Sequence, residues 1–468
     1  MAKKIGIAGA GPAGLLVAKE LAIAGFEVHV YESKQANAHV LSHNWSDAVE
    51  TDMLFDAGFP VPESNGLYFE GAGVRMDEDA PYTGDPNLLY ERHRISQLAV
   101  YSPDYKSKAI VDADFRHVFI DRQAMISYQT KQAIDAGVQI HYDMQVVHLL
   151  GTLEGALSDI CVTGLTVQDK DGVHTDILAD LVIDATGQDA VLRTQIDNEH
   201  IGSDFDQTLF GYVFRTVRKF DPSRIDESQI PCVEHYRLRS TTNSYVFVHF
   251  HDDDIIDIGS GVRDQVPKNV AKETVLQTVR QYPQISEEER RGGEGRNLKC
   301  LPPNTLVCSG FMVVGHAGAQ MNPTQGCGIA ASWSGALLLA QIVREAADFS
   351  LESLWIYNYR WMSGRGAHYA ALFEKTRRIA VYRNEDLNLL LQNNIMNGLA
   401  LTHDYHGLFV NLTSDEMRRL EDFRKHQPTL AQIWIDAYDA AQKTLAYYLD
   451  YPKTWDAPTF NNWINRNK

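Results

Sequence analysis

Three glycines near the N-terminus have the spacing of a phosphate-binding turn. Gly9, Gly11 and Gly14 form the pattern G-x-G-x-x-G, and Glu32 lies 18 residues after Gly14. Such a turn lets a pyrophosphate approach the backbone, and a carboxylate about 20 residues further on can hold a ribose. Because a 2′-phosphate would meet the negative charge of Glu32, the pattern favours a dinucleotide with a free ribose diol, such as FAD or NAD.

The residues around this turn predict the strand and the helix that must position it. Ile5 and Ile7 begin a short apolar strand, and apolar residues recur at helical intervals from Leu15. The N-terminus of that helix offers unpaired N–H groups and a partial positive charge to phosphates. We therefore expect Pro12 and Ala13 to belong to the binding site with the glycines. The alternative is a glycine turn in another kind of α/β unit.

Composition excludes several classes of function. The chain has 468 residues, 44% of them hydrophobic, and a net charge of −18, which indicates a large globular protein without nucleic-acid partners. No apolar run is long enough to predict a transmembrane helix. Peripheral contact with a membrane is still compatible with the sequence. Five cysteines without a C-x-x-C pair, and no visible signal peptide, predict reduced thiols, a cytoplasmic location and no metal site.

Periodicity predicts the remaining elements. The apolar run from Leu181 to Ile183 is typical of a buried parallel strand. Residues 205 to 262 alternate in the manner of β-strands, and residues 350 to 450 have helical periodicity. We further predict a helix from Ser46 to Ala57, capped by Ser46, and a charged helical stretch over residues 268 to 291.

Four separated segments resemble the FAD-dependent oxidoreductases of the glutathione-reductase-like superfamily. They are GAGPAG with Glu32, Asp121-Arg122 at the start of a helix, LADLVIDATGQDAVLR from Leu178 to Arg193, and VVGHAGAQMNPTQGCGI from Val313 to Ile329. Within the superfamily the chain resembles the geranylgeranyl reductase branch, beside the aromatic hydroxylases. Ala185-Thr186-Gly187 matches the reductases at a place where the hydroxylases have Asp-Gly, and Ser244 to Val262 matches a reductase segment in part.

The resemblance implies an α/β fold in which a Rossmann-like FAD-binding domain carries an inserted β-sheet substrate domain and a helical C-terminal region. The FAD-binding domain is expected in three parts, at residues 1–65, 116–200 and 301–350. The substrate domain would occupy residues 66–115 and 201–300, and the helical region residues 351–468.

The resemblance also implies a set of cofactor contacts. Arg122 is suited to the pyrophosphate, the backbone of Val147 would pair with the adenine, and Gly187 would contact the cofactor just after the strand of the third segment. The fourth segment contains a P-x-x-G-x-G-I pattern whose loop would approach the isoalloxazine ring, with a helix N-terminus behind it. The residues of that pattern are Pro323, Gly326, Gly328 and Ile329.

His316 is a departure from the family. The pair Gly315-His316 stands where the family normally has Gly-Asp. A neutral imidazole can hydrogen-bond a flavin-side hydroxyl, but it is not a fixed anionic acceptor. We therefore expect the affinity for FAD or the reduction potential of the flavin to differ from that of proteins with Gly-Asp at this place. The alternative is that His316 is a loop residue and that backbone contacts hold the flavin.

His43, Asn44 and Trp45 are the candidate catalytic residues. They occupy the place where isoprenoid reductases often carry a cysteine-containing loop near the flavin. Without a cysteine, we expect a substrate other than a bare isoprenoid or a different proton donor, and His43 could supply a proton near neutral pH. The alternative is a helix cap with a packed tryptophan.

The leading functional prediction is reduction of a C=C bond in a hydrophobic, isoprenoid- or lipid-like substrate by hydride transfer from flavin N5. Because a second G-x-G-x-x-G is absent, NAD(P)H would bind transiently, or a small electron carrier would reduce the flavin. One alternative is an NAD(P)H-dependent flavin monooxygenase that hydroxylates or epoxidises. Another is a redox-neutral flavoprotein, which the histidine at position 316 supports. The sequence identifies neither the substrate nor the oligomeric state.

Overall fold

The computed structural model describes most of the chain. The described residues are 2–43, 46–50, 53, 56–59, 64–65, 68–69, 90–91, 97–111, 117–205, 210–221, 223, 233–239, 244–250, 255–263, 266–282, 284–298, 300–324, 326 and 328–466. Asn44 and Trp45, predicted to be catalytic, lie outside them.

Strands and helices are numbered in chain order through the described residues. The strands are β1 (Lys4–Ala8), β2 (Glu27–Tyr31), β3 (Ser46–Glu50), β4 (Ser64–Asn65), β5 (Tyr68–Phe69), β6 (Tyr90–Glu91), β7 (Gln97–Tyr101), β8 (Lys108–Val111), β9 (His117–Asp121), β10 (Gln139–His141), β11 (Met144–Thr152), β12 (Cys161–Asp169), β13 (His174–Leu178), β14 (Leu181–Asp184), β15 (Phe210–Phe220), β16 (Val233–Arg239), β17 (Ser244–Phe250), β18 (Ile255–Arg263), β19 (Ile285–Leu298), β20 (Val307–Cys308) and β21 (Phe311–Val313). The helices are α1 (Pro12–Ile23), α2 (Ala36–Leu41), α3 (Arg122–Asp135), α4 (Asn269–Gln281), α5 (Ile329–Glu345), α6 (Leu351–Met362), α7 (Arg365–Ile379), α8 (Asn384–Gln392), α9 (Gly398–Tyr405), α10 (Ser414–Arg424), α11 (Pro428–Leu449) and α12 (Ala457–Asn465).

A six-stranded sheet forms the centre of the cofactor-binding region, in the order β10-β2-β1-β14-β21-β20. Its strands run parallel from β10 to β21, so that Ile5 lies beside Val28 on one side and Leu181 on the other. These apolar strands are buried, as expected for a parallel sheet covered by helices. The carboxyl ends of β1, β14 and β21 meet at one edge, which is where ligands bind in such folds. The predicted α/β fold class is confirmed.

The large seven-stranded sheet has the order β19-β15-β18-β17-β16-β7-β8 and is mainly antiparallel. One face of it packs on α4 through a buried cluster that includes Phe214, Val246 and Val275. The alternation of side chains places Val213 and its partner Gly295 on the opposite face. Val213 and Gly295 line the same cleft as the glycine-rich turn that follows β1.

Two predicted helices are wrong in part. Ser46–Glu50 is strand β3, paired antiparallel with β9, instead of the start of a capped helix. The stretch 268–291 divides into α4 and the first half of β19, whose partner is β15. In both cases a partner strand distant in sequence supplies the backbone hydrogen bonds, and this tertiary pairing overrides local propensity. The division of the chain into six alternating segments stays a prediction.

The region after residue 350 is helical, and its aromatic residues pack into the core. Trp355, Tyr357 and Trp463 are fully buried, so the helix-spaced aromatic residues stabilise the fold. Within the described parts of the chain, every helix is too short or too polar to cross a bilayer.

Candidate cofactor site

A cleft of about 570 Å³ lies at the carboxyl edge of the parallel sheet. Its volume lies in the range of small-molecule sites. The lining residues include Gly9, Gly11, Pro12, Ala13, Glu32, Lys34, His39, His43, Arg122, Gly187, Val213, Gly295, Arg296, His316, Gly326, Gly328 and Ile329. Most of the predicted cofactor residues are thus brought together, although they come from distant parts of the chain.

Each glycine of the N-terminal turn has a different task. Gly9 has φ +103°, and a Cβ atom there would lie 2.6 Å from the carbonyl oxygen of Ala185. A Cβ atom on Gly14 would overlap the carbonyl oxygen of Gly9, so this glycine allows α1 to pack closely on the turn. No described atom lies within 4 Å of the Cβ position of Gly11. That open space belongs to the cleft, where a phosphate can reach the backbone.

Glu32 holds its carboxylate at the end of β2, against the glycine turn. Oε2 accepts the N–H of Ala10 at 3.1 Å, and Oε1 accepts the N–H of Lys34 at 3.1 Å. The ring of His39 contacts both Ala10 and Glu32. Its Nε2 lies 3.0 Å from the carbonyl oxygen of Ala10, and its Nδ1 lies 3.7 Å from Oε2 of Glu32. The sequence reasoning missed His39, because one histidine in a polar loop carries no distinctive pattern.

Arg122 enters the cleft from the first turn of α3. Asp121 caps this helix, since its Oδ1 accepts the N–H of Ala124 at 2.9 Å, and its Oδ2 pairs with Arg291 Nη1 at 2.8 Å. Arg291 belongs to β19, so this buried pair fastens the large sheet to the helix that presents Arg122. The first turn of α3, from which Arg122 reaches the cleft, is thereby fixed to the large sheet.

His43 lies beside Arg122, with 3.4 Å between its Nδ1 and the Nη2 of the arginine. Burial and the positive charge of Arg122 hold the pKa of His43 well below its ordinary value. The ring is therefore neutral at neutral pH and can accept the Arg122 N–H at Nδ1. The role of His43 as a proton donor stays a prediction, and the lowered pKa argues against an imidazolium form at neutral pH.

His316 lies in a turn whose backbone leaves β21 through Gly315, at φ +70°. Its Nε2 is covered, yet it has no hydrogen-bond partner among the described residues. A Cβ atom on Gly328 would overlap this nitrogen, so the glycine makes the space that the ring occupies. Buried polar atoms normally have partners, and a polar group of a bound cofactor would give His316 one.

Burial, and then the charge of Arg122, lowers the pKa of His316 from 6.5 to about 4. The unfolded chain therefore binds more protons than the folded chain between these two values, and the apoprotein should lose stability as the pH falls through this window. We expect the free energy of unfolding to fall by about 2 kcal/mol from this group between pH 7 and pH 5. Urea unfolding of the wild type and of His316→Gln at both pH values measures it. The variant should show a flatter dependence, with the part due to His43 retained, whereas an equal slope would contradict the assignment.

Three predicted residues stand apart from the cleft lining. Gly14 packs inside the turn, and Pro323 lies behind His316 in a small adjoining pocket. Val147 lies at an irregularity of β11, and its carbonyl oxygen accepts Gln195 Nε2 at 2.9 Å. Gln145 and Val146 of the same strand line the cleft. The adenine contact through Val147 stays a prediction, and these two neighbours are the residues that face the space.

The cleft fits FAD on the chemistry of its lining. Open space at Gly11 and the charge of Arg122 suit a pyrophosphate, while the carboxylate of Glu32 suits a ribose diol. The unpartnered Nε2 of His316 adds a polar group to the lining of the cleft. Among the described residues, no group of histidine, cysteine and acidic side chains could hold a metal ion.

Comparisons with known proteins agree with this chemistry. Digeranylgeranylglycerophospholipid reductase 2 of Methanopyrus kandleri is 22% identical over 404 residues, which cover 82% of this chain and 89% of that protein. Digeranylgeranylglycerophospholipid reductase 1 of Methanosphaera stadtmanae is 21% identical over 364 residues, 75% and 78% of the two chains. No family model matches the chain.

Two solved structures share the fold. A geranylgeranyl bacteriochlorophyll reductase-like protein of Thermoplasma acidophilum has a TM-score of 0.66 at 15% identity, over 93% of this chain and 99% of its own. The flavin-dependent brominase Bmp2 has a TM-score of 0.57 at 13% identity, over 92% and 100%. The resemblance to FAD-dependent oxidoreductases of the geranylgeranyl reductase-like branch, predicted from four sequence segments, is confirmed.

Proposed function

We propose that this chain, an FAD-dependent oxidoreductase similar to the geranylgeranyl reductases, reduces a C=C bond of a hydrophobic, isoprenoid- or lipid-like substrate. The observation that carries the proposal is the composition of one cleft. Glycine-rich turns of the parallel sheet line one side of it, and Val213 and Gly295 of the large sheet line the other. A cofactor on the first side would face a substrate against the second.

The chain's own residues divide the task of holding FAD. Gly11 and Arg122 would bind the pyrophosphate, Glu32 the ribose diol, and His316 a hydroxyl or ring atom nearer the flavin. The N-terminus of α5 follows Gly328 directly, and its unpaired N–H groups stabilise negative charge nearby. When bound, FAD supplies hydride transfer.

The wall contributed by the large sheet suits an apolar substrate. Phe247 of β17 fills the space above Gly259 of β18, where a Cβ atom would overlap its ring. On the same face, Arg215 Nε donates to Asp257 Oδ2 at 2.6 Å, and both residues are buried. Because the two charges neutralise each other, this face can exclude water without leaving a lone buried charge.

Electron supply and location are further parts of the proposal. NAD(P)H or a small electron carrier would reduce the flavin. Cys161 and Cys308 are thiols, and burial raises the pKa of Cys308 above its ordinary value. An unreactive buried thiol of this kind suits a reducing compartment such as the cytoplasm. Contact with a membrane surface would give access to a lipid substrate.

A flavin monooxygenase is the second candidate. The fold shared with a brominase is compatible with chemistry that uses oxygen. A redox-neutral role for reduced flavin stays a third possibility and requires turnover without consumption of reductant.

Anaerobic reduction separates these candidates. The FAD-loaded protein is reduced by dithionite, and a lipid with geranylgeranyl chains is added in detergent without oxygen. We expect the flavin spectrum to return to the oxidised form and the product to gain one H₂ for each double bond reduced, as mass spectrometry would show. Reoxidation by air alone, with oxygen in the product, would instead select the monooxygenase. An isomerised product with the flavin still reduced would select the redox-neutral role.

A further inference from the structure

A buried asparagine ties the loop before Gly326 to the C-terminal helices. Asn322 is 5% exposed, and its Nδ2 donates to the carbonyl oxygens of Asp404 at 3.1 Å and Tyr405 at 3.2 Å. These carbonyls belong to the last turn of α9, where the i+4 partners of a continuing helix are missing; that of Asp404 also accepts the N–H of Gly407 at 3.1 Å. The asparagine therefore satisfies a helix end that is distant in sequence from the loop.

The same residue shapes the loop internally. Its Oδ1 accepts the N–H of Thr324 at 3.0 Å, and its backbone carbonyl accepts the N–H of Gly326 at 2.8 Å. Gly326 has φ +79° and lines the cleft. One side chain thus joins the turn that carries Gly326 to an anchor outside the cofactor-binding sheet.

Neighbouring helices hold the last turn of α9 in place. Lys375 of α7 and Asp404 of α9 form a buried ion pair with 2.6 Å between Nζ and Oδ1. The hydroxyl of Tyr438 on α11 lies 3.4 Å from the same Nζ. Three helices therefore converge behind the carbonyls that Asn322 binds. Moving α9 would separate a buried pair, which costs several kcal/mol.

We propose that the C-terminal helices position the loop that carries Gly326. Asn322 connects the two, because it binds both α9 and this loop. The inference rests on the proposed function, because the loop has to meet FAD. It assigns a role in the cofactor site to the region after residue 370, which the sequence characterises only by its helices. Asn322 is a positioning residue, since it acts through the backbone at Thr324 and Gly326.

Two substitutions of Asn322 distinguish its contacts with α9, which we call the tether, from its contact with Thr324, which shapes the turn. Asn322→Ala removes both the donor to α9 and the acceptor for Thr324. Asn322→Asp keeps the acceptor but places a carboxylate oxygen against the two carbonyls of α9. If the tether matters, aspartate is as damaging as alanine; if only the turn matters, aspartate restores it.

Asn397 provides the matched control at the opposite end of α9. It is also 5% exposed, its Oδ1 caps the helix by accepting the N–H of Ala400 at 3.0 Å, and its Nδ2 donates to Glu416 at 2.7 Å. Asn397→Ala should lower the Tm of the apoprotein as other lost caps do. It leaves the contacts of Asn322 in place.

The experiment measures FAD affinity by fluorescence titration and hydrogen exchange of the peptide spanning residues 320–328 in each apoprotein. We expect both Asn322 variants to bind FAD at least about 10-fold more weakly, as is typical when a residue that orients a ligand-contacting group is replaced. The amide hydrogens of that peptide should also exchange faster in both variants. Asn397→Ala should stay within about twofold of the wild type in affinity.

Normal FAD affinity in Asn322→Asp would overturn the positioning role while the wild type still binds FAD. A wild type that binds no FAD would instead overturn the proposed function, and this inference with it.

Discussion

Gly11→Val should remove FAD binding while leaving the apoprotein folded. Gly11 has φ −73° and ψ 179°, an extended conformation that valine adopts easily. The space at its Cβ position is open to the cleft, so the two methyl groups would occupy the region where the backbone meets the pyrophosphate. We expect the affinity for FAD to fall by at least about 100-fold, or about 2.7 kcal/mol, as measured by titration of the apoprotein.

Gly14→Ala is the comparison for this prediction. Its Cβ atom would overlap the carbonyl oxygen of Gly9 inside the turn, so the variant should lower the Tm of the apoprotein, whereas Gly11→Val should keep it. If Gly11→Val bound FAD as the wild type does, the phosphate would have to lie elsewhere. If it unfolded, the open space described at this position would be wrong.

Arg193→Met should have the largest effect on stability. Arg193 is fully buried, and its guanidinium donates to the carbonyl oxygens of Ala317 at 3.1 Å, Ile201 at 2.6 Å and Ser203 at 2.6 Å. Methionine fills similar space but leaves the buried carbonyls of Ala317 and Ile201 without this donor. We expect the free energy of unfolding to fall by about 3–5 kcal/mol, together with weaker FAD binding, because Ala317 follows His316 in the turn.

Arg418→Met is the exposed control for that substitution. Arg418 is 73% exposed and pairs with Asp415 at 3.0 Å on the surface of α10, so its loss should change the free energy of unfolding by less than about 0.5 kcal/mol. Arg193→Lys should recover little, since one ammonium group cannot reach three separated carbonyls in the geometry of a guanidinium. Equal stability of Arg193→Met and the wild type in urea unfolding would contradict the bonding described.

The cofactor half of the site could be predicted because its signals are local. The turn from Gly9 to Gly14 has its own strand, helix and glycines within one βαβ unit, and steric demands require glycine at positions 9 and 14. Arg122 is predicted from the resemblance, in which an Asp-Arg pair opens a helix. These features depend on short stretches of sequence, so their spacing is sufficient to indicate them.

The remaining parts depend on partners distant in sequence. The strand at Ser46–Glu50 forms because β9, about 70 residues later, pairs with it, and the charged strand β19 forms on β15. Neither pairing leaves a local pattern that distinguishes it from an amphipathic helix. The tether of Asn322 to α9 joins residues 82 positions apart, and only the folded chain reveals it.

A sequence pattern also does not show the electrostatic environment that sets the pKa of a side chain. A histidine in a polar loop has an ordinary pKa by default, and this led to the prediction that His43 donates a proton. Burial and the adjacent Arg122 lower that pKa. The same two causes act on His316, so the site presents neutral imidazoles beside a fixed positive charge.

Titration of the purified apoprotein with FAD tests the central claim most directly. Quenching of flavin fluorescence should saturate at one FAD per chain, with a perturbed visible flavin spectrum in the complex. The same titration with FMN, which lacks the adenosine and one of the two phosphates, should give much weaker binding, because Glu32 would have no ribose to bind and Gly11 and Arg122 would have at most one phosphate. A colourless protein whose flavin fluorescence stays unchanged, or one that binds FMN as tightly as FAD, would contradict the site described.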